Sequence, residues 1–427
     1  MKRLSKFPGL LICLFMLIIF LSILSSCAPQ KKIDPSKTKI EFWTISLQPA
    51  YNNYINGIIS EFEEKHPDVV VEWVDIPMNA MKQKLLASIA GGVPPDVVNL
   101  NSEFAQVLAQ NYAIVNMDSA VSKKDRELYF EGLWNAARFE GKNYAIPWYV
   151  TTRVVIYNRE IFKKAGLDPD KPPSTWDEVG EYARIIKKKT GIYGYMPAIK
   201  FIEDLEIRGI PVVNEKRTKA LFNSLEAVKL LRWYTNMYKD EIIPAETLTE
   251  GYQGAVNRYQ SGTLAMIIAG PTLLKRIQKD SPGVYKKTWV APMPMGKGNV
   301  IPAATMNLAV PISSKKRKLA VEFALFVTND KHQLQFCKLV PLLPSTKKAA
   351  EDEFFNEDTG KPIQDEARKI SIKQLFKARD LSLGLKHQSD LNRAIKEALE
   401  SSFYGRKTPE EALNEAVKRW DEVLDRS

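Results

Sequence analysis

The chain has 427 residues and a formal charge of +11 at neutral pH, with 45% apolar and 26% charged side chains. A chain of this length and balance is a packed globular protein of two or three domains. Its cations are mixed with acids, and runs such as Lys187-Lys188-Lys189 and Lys315-Lys316-Arg317-Lys318 are short, which argues against a nucleic-acid-binding stripe.

Lys2, Arg3 and Lys6 precede an apolar run from Leu10 to Ile23. That run falls short of the about 20 residues a membrane span needs, and the order basic, apolar, small is that of a secretory signal over residues 1–26. Leu24-Ser25-Ser26-Cys27 resembles the lipobox of bacterial lipoproteins. The resemblance implies that Cys27 is the first mature residue and that acyl chains, a diacylglyceryl group and palmitate among them, hold it in the lipid bilayer. Loss of the signal lowers the charge by three, to +8. Cys13 leaves with it, so Cys337 is the one thiol not assigned to the anchor and no internal disulfide is expected. Residues 27–38, polar and with two prolines, read as a flexible tether.

The folded part opens at Lys39-Ile40-Glu41-Phe42-Trp43, an alternating strand pattern. Tyr51, Tyr54, Ile55, Ile58, Ile59 and Phe62 then fall on one helical stripe that ends by His66-Pro67. A strand over 69–74, a helix over 78–90 stopped by Gly91-Gly92, and a strand reaching Leu100 follow. This order predicts parallel strands with crossover helices, whose ligands bind outside the carboxyl ends of the strands. Strands are also expected over 153–157, 262–269 and 306–310, and a helix over 318–327. Thr175 and Glu178 form a capping box, and Asn223 reads as the cap of a helix carrying Ala227, Leu230, Leu231, Tyr234 and Tyr238. The last helix opens at Thr408-Pro409-Glu410-Glu411.

Several passages together resemble the extracellular solute-binding proteins of carbohydrate ABC transporters, the maltose-binding-protein-like group. They are Lys39–Trp43 with Phe62-Glu63-Glu64-Lys65-His66-Pro67; Leu85–Gly92 with Pro95-Asp96-Val97-Val98; Gly141-Lys142-Asn143-Tyr144-Ala145-Ile146-Pro147; Pro173-Ser174-Thr175-Trp176; Gln260-Ser261-Gly262-Thr263-Leu264-Ala265-Met266 with Gly270-Pro271; and Tyr404-Gly405-Arg406-Lys407-Thr408-Pro409. The resemblance covers nearly all of the mature chain. It implies a periplasmic-binding-protein-like α/β fold of two lobes with a ligand cleft at the hinge. Lobe one is placed at 39–149 with 303–345, lobe two at 150–302 with 346–427, and the hinges near 149–153, 301–305 and 341–345. It further implies a monomer on the extracytoplasmic face of the membrane that delivers a carbohydrate ligand to ABC permease subunits.

A sugar needs aromatic platforms and planar polar groups. The candidates are Trp43, Gln48 and Tyr51 after the first strand, Asn99 and Asn101 after the third, Trp148 and Tyr149 beside the first hinge, Tyr252, Gly270, and Asn307. Relatives carry an aromatic after the Gly-Pro; here Thr272 and Leu273 follow, so one platform is missing or comes from elsewhere, with Trp148 a candidate. Arg153 stands near the hinge, either as a partner for a phosphate or uronate or as a solvated or ion-paired residue. Trp176 and Tyr234 read as packing. Only His66, His332 and His387 exist, in helix-end or polar settings, which argues against a His-based metal site or triad. No cofactor, metal or catalytic residue is expected. A cell-surface carbohydrate-active enzyme and an adhesive lipoprotein are the competing readings.

Overall fold

The computed structural model describes residues 35–426, so the signal, Cys27 and the start of the tether lie outside the described residues. Strands β1 (Thr38–Ile45), β2 (Val69–Ile76) and β3 (Val97–Asn101) alternate with helices Asn52–Lys65 and Met78–Ala90, as the periodicity predicts. A small hairpin of β4 (Arg138–Phe139) and β5 (Lys142–Asn143) precedes β6 (Ile146–Thr152), and β7 (Val154–Asn158) follows after one residue. Then come β8 (Tyr193–Tyr195), β9 (Leu264–Ala269), β10 (Thr288–Ala291), β11 (Ile301–Ala309), β12 (Leu343–Pro344) and β13 (Ala378–Arg379).

The main strands form two sheets. The first runs β12-β6-β11-β3-β1-β2, with β13 added to β11; the second runs β10-β7-β9-β8. β1 is parallel to both β2 and β3, as expected from the crossovers. The rest of the first sheet departs from that pattern, because β11 is antiparallel to β3 and β6 is antiparallel to β11. Chain crossings between the sheets lie side by side: Thr151 pairs with Ala304, Thr152 with Ala303, Val150 with Leu343, and Pro302 with Arg379.

Each sheet has its own core. Phe42, Phe62, Trp148, Phe323 and Phe336 pack on one face of the first sheet, and Met81, Leu85, Leu100 and Leu108 on the other. Tyr157, Phe222, Leu231, Leu391 and Trp420 belong to a core that joins the second sheet to helices Trp176–Thr190, Leu225–Lys239, Gln388–Phe403 and Pro409–Leu424. Thr175–Glu178 and Thr408–Glu411 both close reciprocal capping boxes. The cap of helix Leu225–Lys239 is Ser224, not Asn223. The Ser224 hydroxyl accepts from the Ala227 N–H, while the Asn223 amide donates to Asn414 at 2.9 Å.

Trp148, a sequence candidate for the ligand, is 0% exposed. Its ring stacks on Phe336 at 5.8 Å and meets Phe42 at 6.2 Å. Truncating so large a buried ring leaves a cavity that rigid neighbours cannot fill. Trp148→Ala should therefore lower unfolding stability by about 3–5 kcal/mol, read by chemical denaturation; a loss below about 1 kcal/mol would contradict this core role.

Candidate functional site

Two connected cavities open where the sheets meet. The deeper, about 350 Å³, is floored by Thr151, Thr152, Pro302 and Ala304 of the crossing strands. The wider, about 560 Å³, lies between helix Ser102–Gln110, through Glu103 and Gln106, and helices Phe201–Ile207 and Gln388–Phe403, which pack in the second sheet's core. Ala198, Lys200 and Tyr252 line both.

Local backbone geometry sets this wall. Helix Thr247–Gln260 breaks at Gly251, whose φ of 49° and ψ of −130° suit glycine alone. The break starts a new helical run at Tyr252, which is 45% exposed on the cavity wall. On β8, a Cβ at Gly194 would stand 2.3 Å from the Ala183 Cα, so glycine there lets the strand lie against helix Trp176–Thr190. Tyr195, next on that strand, lines the deeper cavity together with Trp176 and Tyr234.

The polar groups of the deeper cavity are already coupled to one another. Arg153, the single residue between β6 and β7, forms a two-pronged ion pair with Glu203, Nη2 to Oε2 at 3.1 Å. Burial works against the Arg153 charge, but the Glu203 carboxylate outweighs it and raises the guanidinium pKa. Lys200 stands 3.6 Å from the same carboxylate. Asp204 accepts from the Tyr234 hydroxyl at 2.9 Å. Its burial pushes the carboxyl up to about 6, against the pull of Arg208. The Arg208 guanidinium in turn lies over the Trp176 ring, 4.7 Å from its centroid. On the same helix, burial pushes Glu206 up to about 7, with Arg217 opposing.

Of the sequence candidates, Tyr252 and Gly270 meet at the deeper cavity. The others line neither cavity. Trp43 is 4% exposed, its indole N–H donating to Glu41 at 2.6 Å and its ring 4.9 Å from the Lys84 ammonium. Asn99 and Asn307 are both 0% exposed and stitch β3 to β11. The Asn99 amide donates to the Asn307 carbonyl at 3.1 Å, and the Asn307 amide to the Ser102 hydroxyl at 3.1 Å. Asn101 caps helix Ser102–Gln110 by accepting from the Phe104 N–H. Gln48 is exposed, with its N–H bonded to Asp75 at 3.0 Å. Tyr51 and Tyr149 are half-buried and each set edge-on against Phe336, at 5.1 and 5.3 Å. Trp148 sits in the core described above.

Sequence reasoning missed Tyr195, Glu203 and Asp204, and assigned Trp176 and Tyr234 to packing alone. Adjacent acids at Glu203-Asp204, in a helix otherwise rich in apolar residues, were the available signal. Arg153 is ion-paired, one of the states read for it. Among the described residues no His, Cys, Asp and Glu cluster is suited to a metal ion, and no helix is long and apolar enough to cross a membrane.

Comparison with known proteins places the chain. A periplasmic-binding protein from Synechococcus sp. MITs9220, provisionally named for oligosaccharides, is 31% identical with a TM-score of 0.80, over 91% of this chain and 99% of that one. The arabinooligosaccharide-binding protein of Bacillus subtilis is 26% identical over 95% of this chain and 98% of its own. The sn-glycerol-3-phosphate-binding periplasmic protein UgpB of Pectobacterium atrosepticum is 24% identical over 91% and 92%. The family model for bacterial extracellular solute-binding proteins matches residues 46–334. With its two α/β lobes and a cleft where their sheets meet, this chain belongs to the bacterial extracellular solute-binding protein family.

Proposed function

We propose that the protein is the substrate-binding component of an ABC importer, taking an uncharged sugar or short oligosaccharide into the two connected cavities. The observation that carries this is the character of the deeper cavity. Its aromatic groups, Trp176, Tyr195, Tyr234 and Tyr252, offer faces for sugar C–H groups. Its charges are paired in place: Arg153 with Glu203, and Asp204 bonded to Tyr234. Burying a further unpaired charge there is costly, whereas hydroxyls exchange hydrogen bonds with such groups. The glycerol-phosphate-binding relative raises an anionic alternative. Arg153 and Lys200 are the cations such a ligand needs, and both already face Glu203. The arabinooligosaccharide-binding relative agrees with the neutral reading.

Lobe one comprises 39–149 with 303–345 and lobe two 150–302 with 346–427. The lobes close over the ligand by bending at the three adjacent crossings, and a membrane permease reads the closed form. The protein acts as a binder without catalysis, as a monomer on the extracytoplasmic face, held by acylated Cys27 on its tether. Tethering keeps it at high effective concentration beside the permease.

Thermal-shift titration with arabino- and malto-oligosaccharides should give saturable stabilisation, growing as RT ln(1 + [L]/Kd). sn-Glycerol-3-phosphate should give none, and the reverse pattern would overturn the neutral-sugar reading. In the same assay Tyr252→Ala should weaken the best sugar by about tenfold or more without lowering the unliganded melting point. Unchanged affinity would remove Tyr252 from the site.

The state of Asp204 gives a pH test. Its folded pKa of about 6 stands above the ordinary 3.8, so the folded protein binds this proton more tightly than the unfolded chain. The burial penalty is absent at low pH and grows as pH rises from about 4 through about 6. Asp204→Asn should therefore gain stability over the wild type across that window, by up to about 3 kcal/mol, measured by denaturation at a series of pH values. A pH-independent difference would refute the assignment. For the anchor, Cys27→Ala should be released from cells into the surrounding fluid, and continued membrane retention would count against lipidation.

A further inference from the structure

A third cavity, about 230 Å³, lies beside the crossing strands and shares Thr151 and Thr152 with the deeper part of the cleft. Both lobes build it. Residues 339–343 lead from helix Asp330–Leu339 into β12 of the first sheet, and helix Pro362–Leu375 faces them from the second lobe.

Three residues of its wall each carry a polar atom that is buried without a hydrogen-bond partner: Thr152 Oγ1, Ser371 Oγ and Arg368 Nε. Thr152 is 1% and Ser371 3% exposed. An unmet buried polar group costs about 1–3 kcal/mol, so the packing behind this cavity carries that cost. The wall also carries four cations, Lys275, Lys338, Lys361 and Arg368, and no carboxylate. Behind it, Asp352 answers Lys338 at 3.4 Å and Asp365 answers Arg368 at 3.0 Å. Lys275 and Lys361 enter no side-chain ion pair among the described residues. The remaining surface is mainly apolar, with Leu274, Leu342, Leu343, Phe354 and Ala367 prominent.

Two cations without an ion-pair partner, a wall without carboxylates and an apolar lining together select one chemistry. We propose that this cavity binds a small amphiphilic carboxylate, separate from the sugar cleft. Its apolar body lies against the leucines and Phe354, and its anionic end is met by Lys275 and Lys361. The volume lies below the 300–1,000 Å³ of drug-sized sites, which limits the occupant to roughly ten heavy atoms. The occupant would rest on the same two threonines that floor the cleft.

Isothermal titration of the mature protein with hexanoate and phenylacetate, set beside the neutral isosteres 1-hexanol and 2-phenylethanol, tests the proposal. At least one carboxylate should bind saturably at one site, with its alcohol about tenfold weaker or worse. Lys275 and Lys361 are exposed, so the double variant Lys275→Met, Lys361→Met should fold normally and lose about tenfold in carboxylate affinity. Three results would overturn the proposal: no saturable heat from either carboxylate at millimolar concentration, equal binding of acid and alcohol, or full affinity in the double variant.

Discussion

One residue separates the two sheets. β6 ends at Thr152 and β7 begins at Val154, so Arg153 alone carries the chain from the first ladder to the second. Everything at the site depends on holding that step. The Arg153 carbonyl accepts from the Gln374 amide at 2.9 Å, and its guanidinium is clamped by Glu203. Gln374 also accepts the Met293 N–H at 2.8 Å, tying the step to the segment after β10. Breaking either partner of the half-buried ion pair would leave a charge in a poorly solvated cavity, which is why such pairs hold a geometry even where they add little net stability.

The same arrangement explains the chemistry of the cleft. Acids and bases converge there, but in matched sets, so the cavity presents oriented dipoles and aromatic faces and little free charge. Asp204 is held there against the cost of burial. It is 7% exposed, takes one bond from Tyr234, and is held high enough to gain a proton just below neutral pH. Glu206, one helix position beyond Glu203-Asp204-Leu205, is pushed the same way by burial. The third cavity contrasts with this. It sits against the same threonines, yet the charges on its wall are all of one sign.

Much of the lobe architecture was legible in the residues. Tyr54, Ile55, Ile58, Ile59 and Phe62 recur at helical spacing and are all buried against the first sheet. The capping boxes at Thr175 and Thr408 were readable because each depends on residues only three apart. Asn223 failed as a cap because its neighbour Ser224 reached the helix first, leaving the asparagine to a partner 191 positions away.

The site was far less legible, and the reason is directional. A strand pattern says which residues alternate, not which sheet neighbour each will face. The sequence pattern puts Asn99 after the third strand and Asn307 just after a crossing, but β11 returns antiparallel beside β3, both residues lie within those strands, and their amide N–H groups donate between them. Trp148 stands beside a crossing, yet Phe42 and Phe336, from a strand and a helix more than a hundred positions away on either side, close over it. Sequence by itself therefore determined the elements, their caps and the family's fold, because these rest on contacts within a few residues and on periodicity. Only the tertiary structure decided which polar and aromatic groups share a cavity, because Arg153, Glu203, Tyr252 and Ala304 are brought together by chain crossings that no local spacing encodes.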